Sequence, residues 1–148
     1  MLLFPQEFSE EQLRAAYAYY EPITTHDSSL SVAVHGIVAS WLNHKEEAAA
    51  FLQRVMAIDF SLEKKGAAEG IHIANCGGLW QLIVYGFAGL TSAMWSETIQ
   101  LQPRLPEGWE ELSFRIVWRG EHYRIIVSPG AYEVQKLNGG DAVAGTTI

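Results

Sequence analysis

Gly86-Phe87-Ala88-Gly89-Leu90-Thr91 is where the chain changes character. Before it, apolar residues recur at helical spacing and alanines are frequent. After it, apolar and polar residues alternate between Pro/Gly turns. Two structural parts are therefore expected, a helical part over 1–90 and a small antiparallel β part over 91–148, giving an α+β chain. Working back from the junction, the segment from about Gly77 to Leu90 is apolar nearly all round and predicts a helix buried on most sides, Trp80 included. Lys45 to about Ile58 predicts a helix with Ala49, Leu52, Val55 and Met56 inward. Leu30 to Leu42 predicts another, with Val34, Ile37, Val38 and Trp41 on one stripe, broken by Asn43 and His44. Ser9 is the expected N-cap of a first helix, with Gln12 completing a capping box. Pro22 ends that helix near Tyr20.

Forward of the junction, strands are expected over Thr98–Leu101, Ser113–Trp118, His122–Val127 and Tyr132–Leu137. Turns fall at Pro103–Gly108, Arg119–Glu121, Pro129-Gly130 and Asn138–Gly140. Tyr123, Ile125 and Val127 share the face that should pack. No repeat or low-complexity stretch interrupts this order, and four helices in antiparallel succession suit a piece of an α/α toroid.

The composition narrows function. The chain has 148 residues, 49% of them hydrophobic, and a net charge of −7, enough apolar material for a buried core. The acidic balance and the absence of a Lys/Arg cluster argue against nucleic acid as a partner. The run Leu79–Leu90 is too short for a bilayer, so no membrane segment is expected. A single cysteine, Cys76, excludes an intrachain disulfide, and the N-terminus lacks a signal-peptide pattern; a reducing cytoplasm fits. The five histidines and Cys76 match no zinc spacing, so no metal or cofactor is expected.

Two polar segments stand where plain helix connections would serve. Thr24-Thr25-His26-Asp27-Ser28-Ser29-Leu30-Ser31 gathers hydroxyls and an imidazole before a helix N-terminus, an arrangement suited to an anion. The plainer alternative is that Asp27, Ser28 or Ser29 simply caps the helix. Ala68-Glu69-Gly70-Ile71-His72-Ile73-Ala74-Asn75-Cys76-Gly77-Gly78-Leu79-Trp80 also leads into a helix, with glycines that allow close backbone approach and a histidine able to donate to an anion. Here the alternative is a buried histidine satisfied by backbone groups. Tryptophans 80, 95, 109 and 118 offer a further possibility, stacking against sugar rings.

Together with Tyr19-Tyr20-Glu21-Pro22, Gly86-Phe87-Ala88-Gly89-Leu90, Pro103-Arg104-Leu105-Pro106-Glu107-Gly108-Trp109, Leu112-Ser113-Phe114-Arg115 and Trp118-Arg119-Gly120, these segments resemble glycoside hydrolase family 65. That family contains maltose, kojibiose, nigerose and trehalose phosphorylases and some hydrolases. The resemblance covers nearly the whole chain and implies the last helices of an (α/α)6 barrel followed by the family's C-terminal β domain. It also implies an inverting reaction in which inorganic phosphate, a co-substrate, attacks the anomeric carbon while a glutamic acid protonates the leaving oxygen. Carried over by motif, Ser28, Ser29 and His72 hold the phosphate and His26 supports them. The general acid lies upstream in the family, as do the lysines of the phosphate site, so the resemblance implies that this chain alone is inert. It further implies a truncated product, an internal start, a split enzyme or an isolated fragment. Barrel helices without their neighbours should expose apolar faces that self-associate or bind a complementary chain. A non-catalytic carbohydrate-binding module and an inactive remnant are the competing readings.

Overall fold

The structure is a computed structural model and describes residues 7–60, 70–90 and 97–137. Among the described residues, four helices precede a three-stranded sheet. The first, α1 (Glu10–Tyr20), starts at the expected capping box: the Ser9 side chain accepts from the Gln12 backbone, and the Gln12 side chain accepts from the Ser9 backbone. A 3-10 turn, Glu21–Ile23, follows with Pro22 at its start. Then come α2 (Ser29–Trp41) and α3 (Lys45–Phe60), joined by a short loop in which Asn43 takes a left-handed backbone. The fourth helix, α4 (Ile73–Gln81), begins four residues before the expected Gly77 and runs on as a π-helical turn, Leu82–Phe87.

The π turn has a specific cause in its packing. Widening the helix redirects backbone carbonyls, and α2 supplies donors for them: Ser40 Oγ donates to Gly86 O at 2.9 Å, and Trp41 Nε1 to Tyr85 O at 2.8 Å. Val32, Ala33, Ile37, Val38 and Ala39 of α2, with Ala48, Phe51, Leu52 and Val55 of α3 and Leu82 and Phe87, form the helical core.

The sheet order is β1-β2-β3, all antiparallel: β1 (Leu112–Trp118), β2 (Glu121–Ser128) and β3 (Ala131–Lys136). Arg119 and Gly120, both at positive φ, make the tight β1–β2 turn. As the alternation indicated, Ile125 and Val127 are fully buried and Tyr123 packs beside them, against Val84, Ala88, Leu90 and Leu101. The end of the fourth helix thus serves both cores.

Four expectations are corrected. Thr98–Leu101 is not a strand. The chain beyond it pairs with the helix end instead, Gln102 N donating to Gly89 O at 3.0 Å and Arg104 N to Phe87 O at 2.7 Å; only Leu101 of the four is buried. Val34 and Met56 are 40% and 44% exposed, although the helical stripes placed them inward. Trp80 is 47% exposed, its ring edge-on to Tyr85 at 5.7 Å. Trp80→Ala is therefore expected to cost about 1 kcal/mol or less in denaturant unfolding, against about 3–5 kcal/mol for a buried aromatic. The expected Asn138–Gly140 turn lies outside the described residues.

Candidate functional site

Helices α2 and α4 lie in direct contact and run parallel. A Cβ on Gly78 would come within 2.8 Å of Ala33 Cβ, and one on Gly36 within 3.1 Å of the Leu82 side chain; further along, Ser40 bonds Gly86. Partners on α4 advance with partners on α2, so both N-termini point the same way. Carried back at that offset, Ser28 falls level with Ile73, and the two polar segments singled out in the sequence lie at the same end of the helix pair. Two helix N-termini side by side present unpaired N–H groups and two positive dipole ends to the same region.

At the α2 terminus, Ser28 is the N-cap, its Oγ accepting from Leu30 N at 3.3 Å. Ser29 is the first residue of the helix. The Ser31 hydroxyl donates to Ser28 O at 3.0 Å, so its oxygen accepts from His26 Nδ1 at 3.2 Å. His26 sits at φ 55, with its side chain 5% exposed. Its ring lies edge-on to His35 at 4.5 Å and Phe51 at 5.3 Å, and Nε2 is 3.9 Å from Glu21 Oε1. His26 thus braces the loop from behind. Behind it again, burial first and His26 second push the His35 pKa down, and burial, reinforced by Glu47, pushes the Tyr17 phenol up.

At the α4 terminus, His72 occupies the N-cap position without a side-chain cap bond. Its ring Nδ1 lies 2.9 Å from Asp59 Oδ1, and its backbone N–H donates to the same oxygen at 3.0 Å. Asn75, 1% exposed, donates from Nδ2 to Asp59 Oδ2 at 2.7 Å and to Val55 O at 3.0 Å. Asp59 belongs to the last turn of α3, and sequence reasoning missed it: at the end of an amphipathic helix it looks like any surface carboxylate. These bonds hold its pKa down to about 2, the His72 backbone N–H contributing most, then Asn75, then the His72 ring.

A depressed carboxylate pKa has a definite sign in stability. The unfolded chain takes up the proton first, near 3.8. The stabilising contribution is therefore complete above about pH 4 and is lost as the pH falls through about 2. The stability difference between wild type and Asp59→Asn should shrink over that window in acid titration of urea unfolding; a difference independent of pH there would mean that folding does not depress the Asp59 pKa.

Elsewhere the chain offers less. A shallow depression of about 410 Å³ lined by Asn43, His44, Lys45, Glu46 and Glu47 lies at the opposite end of α2. Among the described residues no three His, Cys, Asp or Glu side chains are grouped to hold a metal ion, and no described helix is long and apolar enough to cross a membrane.

Comparison with known proteins agrees with this architecture. Residues 1–81 match the model of the glycosyl hydrolase family 65 central catalytic domain, and residues 93–144 that of the family 65 C-terminal domain. The chain belongs to glycosyl hydrolase family 65. Kojibiose phosphorylase of Caldanaerobacter subterraneus subsp. tengcongensis is 39% identical over 97% of this chain and 18% of its own length. Alpha,alpha-trehalose phosphorylase of Geobacillus stearothermophilus is 36% identical over 93% of the chain and 18% of its own. For maltose phosphorylase of Bacillus subtilis the figures are 38%, 84% and 16%. A solved structure from the human microbiome, assigned as a kojibiose phosphorylase, superposes with a TM-score of 0.82 at 33% identity, covering 93% of this chain and 20% of that one. The family 65 chain described here thus spans under a fifth of the curated relatives' length and carries the family's C-terminal portion.

Proposed function

We propose that this family 65 chain supplies the phosphate-side half of an α-glucoside phosphorylase site, within the last helices of an (α/α)6 barrel (residues 1–90) followed by a β domain (91–148). Ser28, Ser29 and His72 hold inorganic phosphate, the co-substrate, and His26 supports the first two through Ser31. The observation that carries this reading is the parallel pairing of α2 and α4, which sets two helix N-termini and an imidazole at one end, the donor arrangement a phosphate dianion requires. Relatives named as kojibiose, trehalose and maltose phosphorylases point to α-glucosidic disaccharides as the substrate class.

The general acid that an inverting phosphorylase needs is not among these residues, so the chain alone is inert and acts with the rest of a barrel. Leu30, Phe60, Ile71 and Ile73 are each more than half exposed, an apolar surface suited to those barrel neighbours. Calorimetry with phosphate and with glucose 1-phosphate, on a sample whose oligomeric state is fixed by light scattering, tests the reading. Saturable phosphate binding that His72→Ala removes is the expected result; a folded protein that binds neither ligand would reduce the family relationship to ancestry. A carbohydrate-binding role has one observation in its favour, the half-exposed Trp80 on α4, and it would show as glucose binding that does not require phosphate.

A further inference from the structure

Asp59 stands where a carboxylate is electrostatically out of place. It lies in the last turn of α3, at the negative end of the helix dipole, and its side chain is 4% exposed. A carboxylate so placed persists when its oxygens are fully engaged by donors. Oδ1 accepts from the His72 backbone N–H and faces His72 Nδ1, while Oδ2 accepts from Asn75, with Cys76 Sγ at 3.9 Å. Every one of these donors lies in the single turn of chain that opens α4. Asn75 is anchored a second time on Val55 O, so the turn is tied to α3 at two places. Packing α3 against α4 would be served as well by an apolar side chain at 59; what a carboxylate adds is a choice between the two nitrogens of one imidazole.

We propose that Asp59 is a positioning residue that fixes His72 as the Nδ1–H tautomer and so presents Nε2 to the bound anion. This rests on the phosphate reading above. A neutral imidazole carries one ring proton, and a carboxylate accepts it but cannot donate one in return. With Nδ1–H on Asp59, Nε2 is the nitrogen turned to an outside partner. When the ring is protonated, Nε2–H donates to a phosphate oxygen while Nδ1–H stays on the carboxylate, the same division of labour by which a carboxylate orients a ligating histidine. Because one oxygen holds both the backbone N–H and the ring nitrogen, the ring's rotation about its side-chain bonds is set as well.

The test is ¹⁵N NMR of the imidazoles in the full 148-residue chain at about pH 9, above the ordinary histidine range, without phosphate. Wild-type His72 should show the Nδ1–H tautomer. Asp59→Asn should move it to Nε2–H or a mixture, and Asp59→Glu should restore the Nδ1–H tautomer. Nε2–H in the wild type, or an unchanged tautomer in Asp59→Asn, overturns the assignment, and the wild-type spectrum decides it even if Asp59→Asn does not fold. An Nδ1–H tautomer that responds to Asp59→Asn in a protein showing no phosphate binding upholds Asp59 as the orienting group and overturns the phosphate reading instead.

Discussion

Gly89→Ala is expected to destabilise the chain by about 3 kcal/mol or more, because two independent costs fall on one atom. Gly89 has φ +71, a backbone that L side chains adopt at a cost of about 1 kcal/mol or more. The added methyl would also stand 2.0 Å from Gln102 O and 2.4 Å from Gln102 C, which are backbone atoms and cannot rotate away. Relief requires separating 87–90 from 101–104, which breaks the Gln102–Gly89 and Arg104–Phe87 hydrogen bonds and lifts Leu101 out of the core it shares with Val84, Ile125 and Val127. In urea unfolding the midpoint should fall accordingly, and thermal melting by about 6–12 °C for a chain of this size. Gly120→Ala separates the two costs: its φ is +81 but nothing lies within 4 Å of the added methyl, so it should lose about 1 kcal/mol. Equal losses in the two variants would show that the segment after Leu101 is not seated against the helix end.

The same junction shows what could be read from sequence and what could not. The change from helical to alternating patterning fixed the order of elements, and the capping box at Ser9 fixed the start of α1, because those signals are local. The β2 face was legible for the same reason: Tyr123, Ile125 and Val127 alternate with His122, Arg124 and Ile126, a mixed face. Thr98–Leu101 has a strand-like composition, but its neighbours hydrogen-bond to a helix terminus, and nothing local announces a partner so distant in sequence. The start of α4 was placed four residues late because Ile73 to Cys76 read as part of the polar segment leading into the helix; in the fold Gly78 is mid-helix, where absence of a side chain lets α4 approach Ala33. Trp80, Val34 and Met56 follow helical periodicity yet face outward, since periodicity marks an apolar face without saying what covers it.

At the candidate site, the residue types were visible and their geometry was not. Ser28, Ser29 and His72 stood out because hydroxyls, an imidazole and glycines precede helices. That their two segments lie at the same end follows from the parallel run of α2 and α4, a tertiary fact. Asp59 carried no signal, because its role exists only once α3 delivers it to the first turn of α4.

If the two segments hold one anion, removing a donor from each should not give additive losses. His72→Ala is expected to weaken phosphate binding at least tenfold, about 1.4 kcal/mol or more, and Ser28→Ala by several-fold. The double variant should fall short of the sum by roughly 1 kcal/mol, since an anion released at one end of the pair no longer benefits fully from the other. Both single variants should fold. His72→Ala leaves Asp59 its bonds from the His72 backbone N–H and Asn75, and Ser28→Ala loses one helix cap, about 1 kcal/mol. Calorimetric titration of phosphate into the four proteins, after each passes the same unfolding assay, yields the coupling directly. Losses that add within about 0.3 kcal/mol would mean that Ser28 and His72 serve separate groups, and the parallel pairing of α2 and α4 would then be a matter of packing alone.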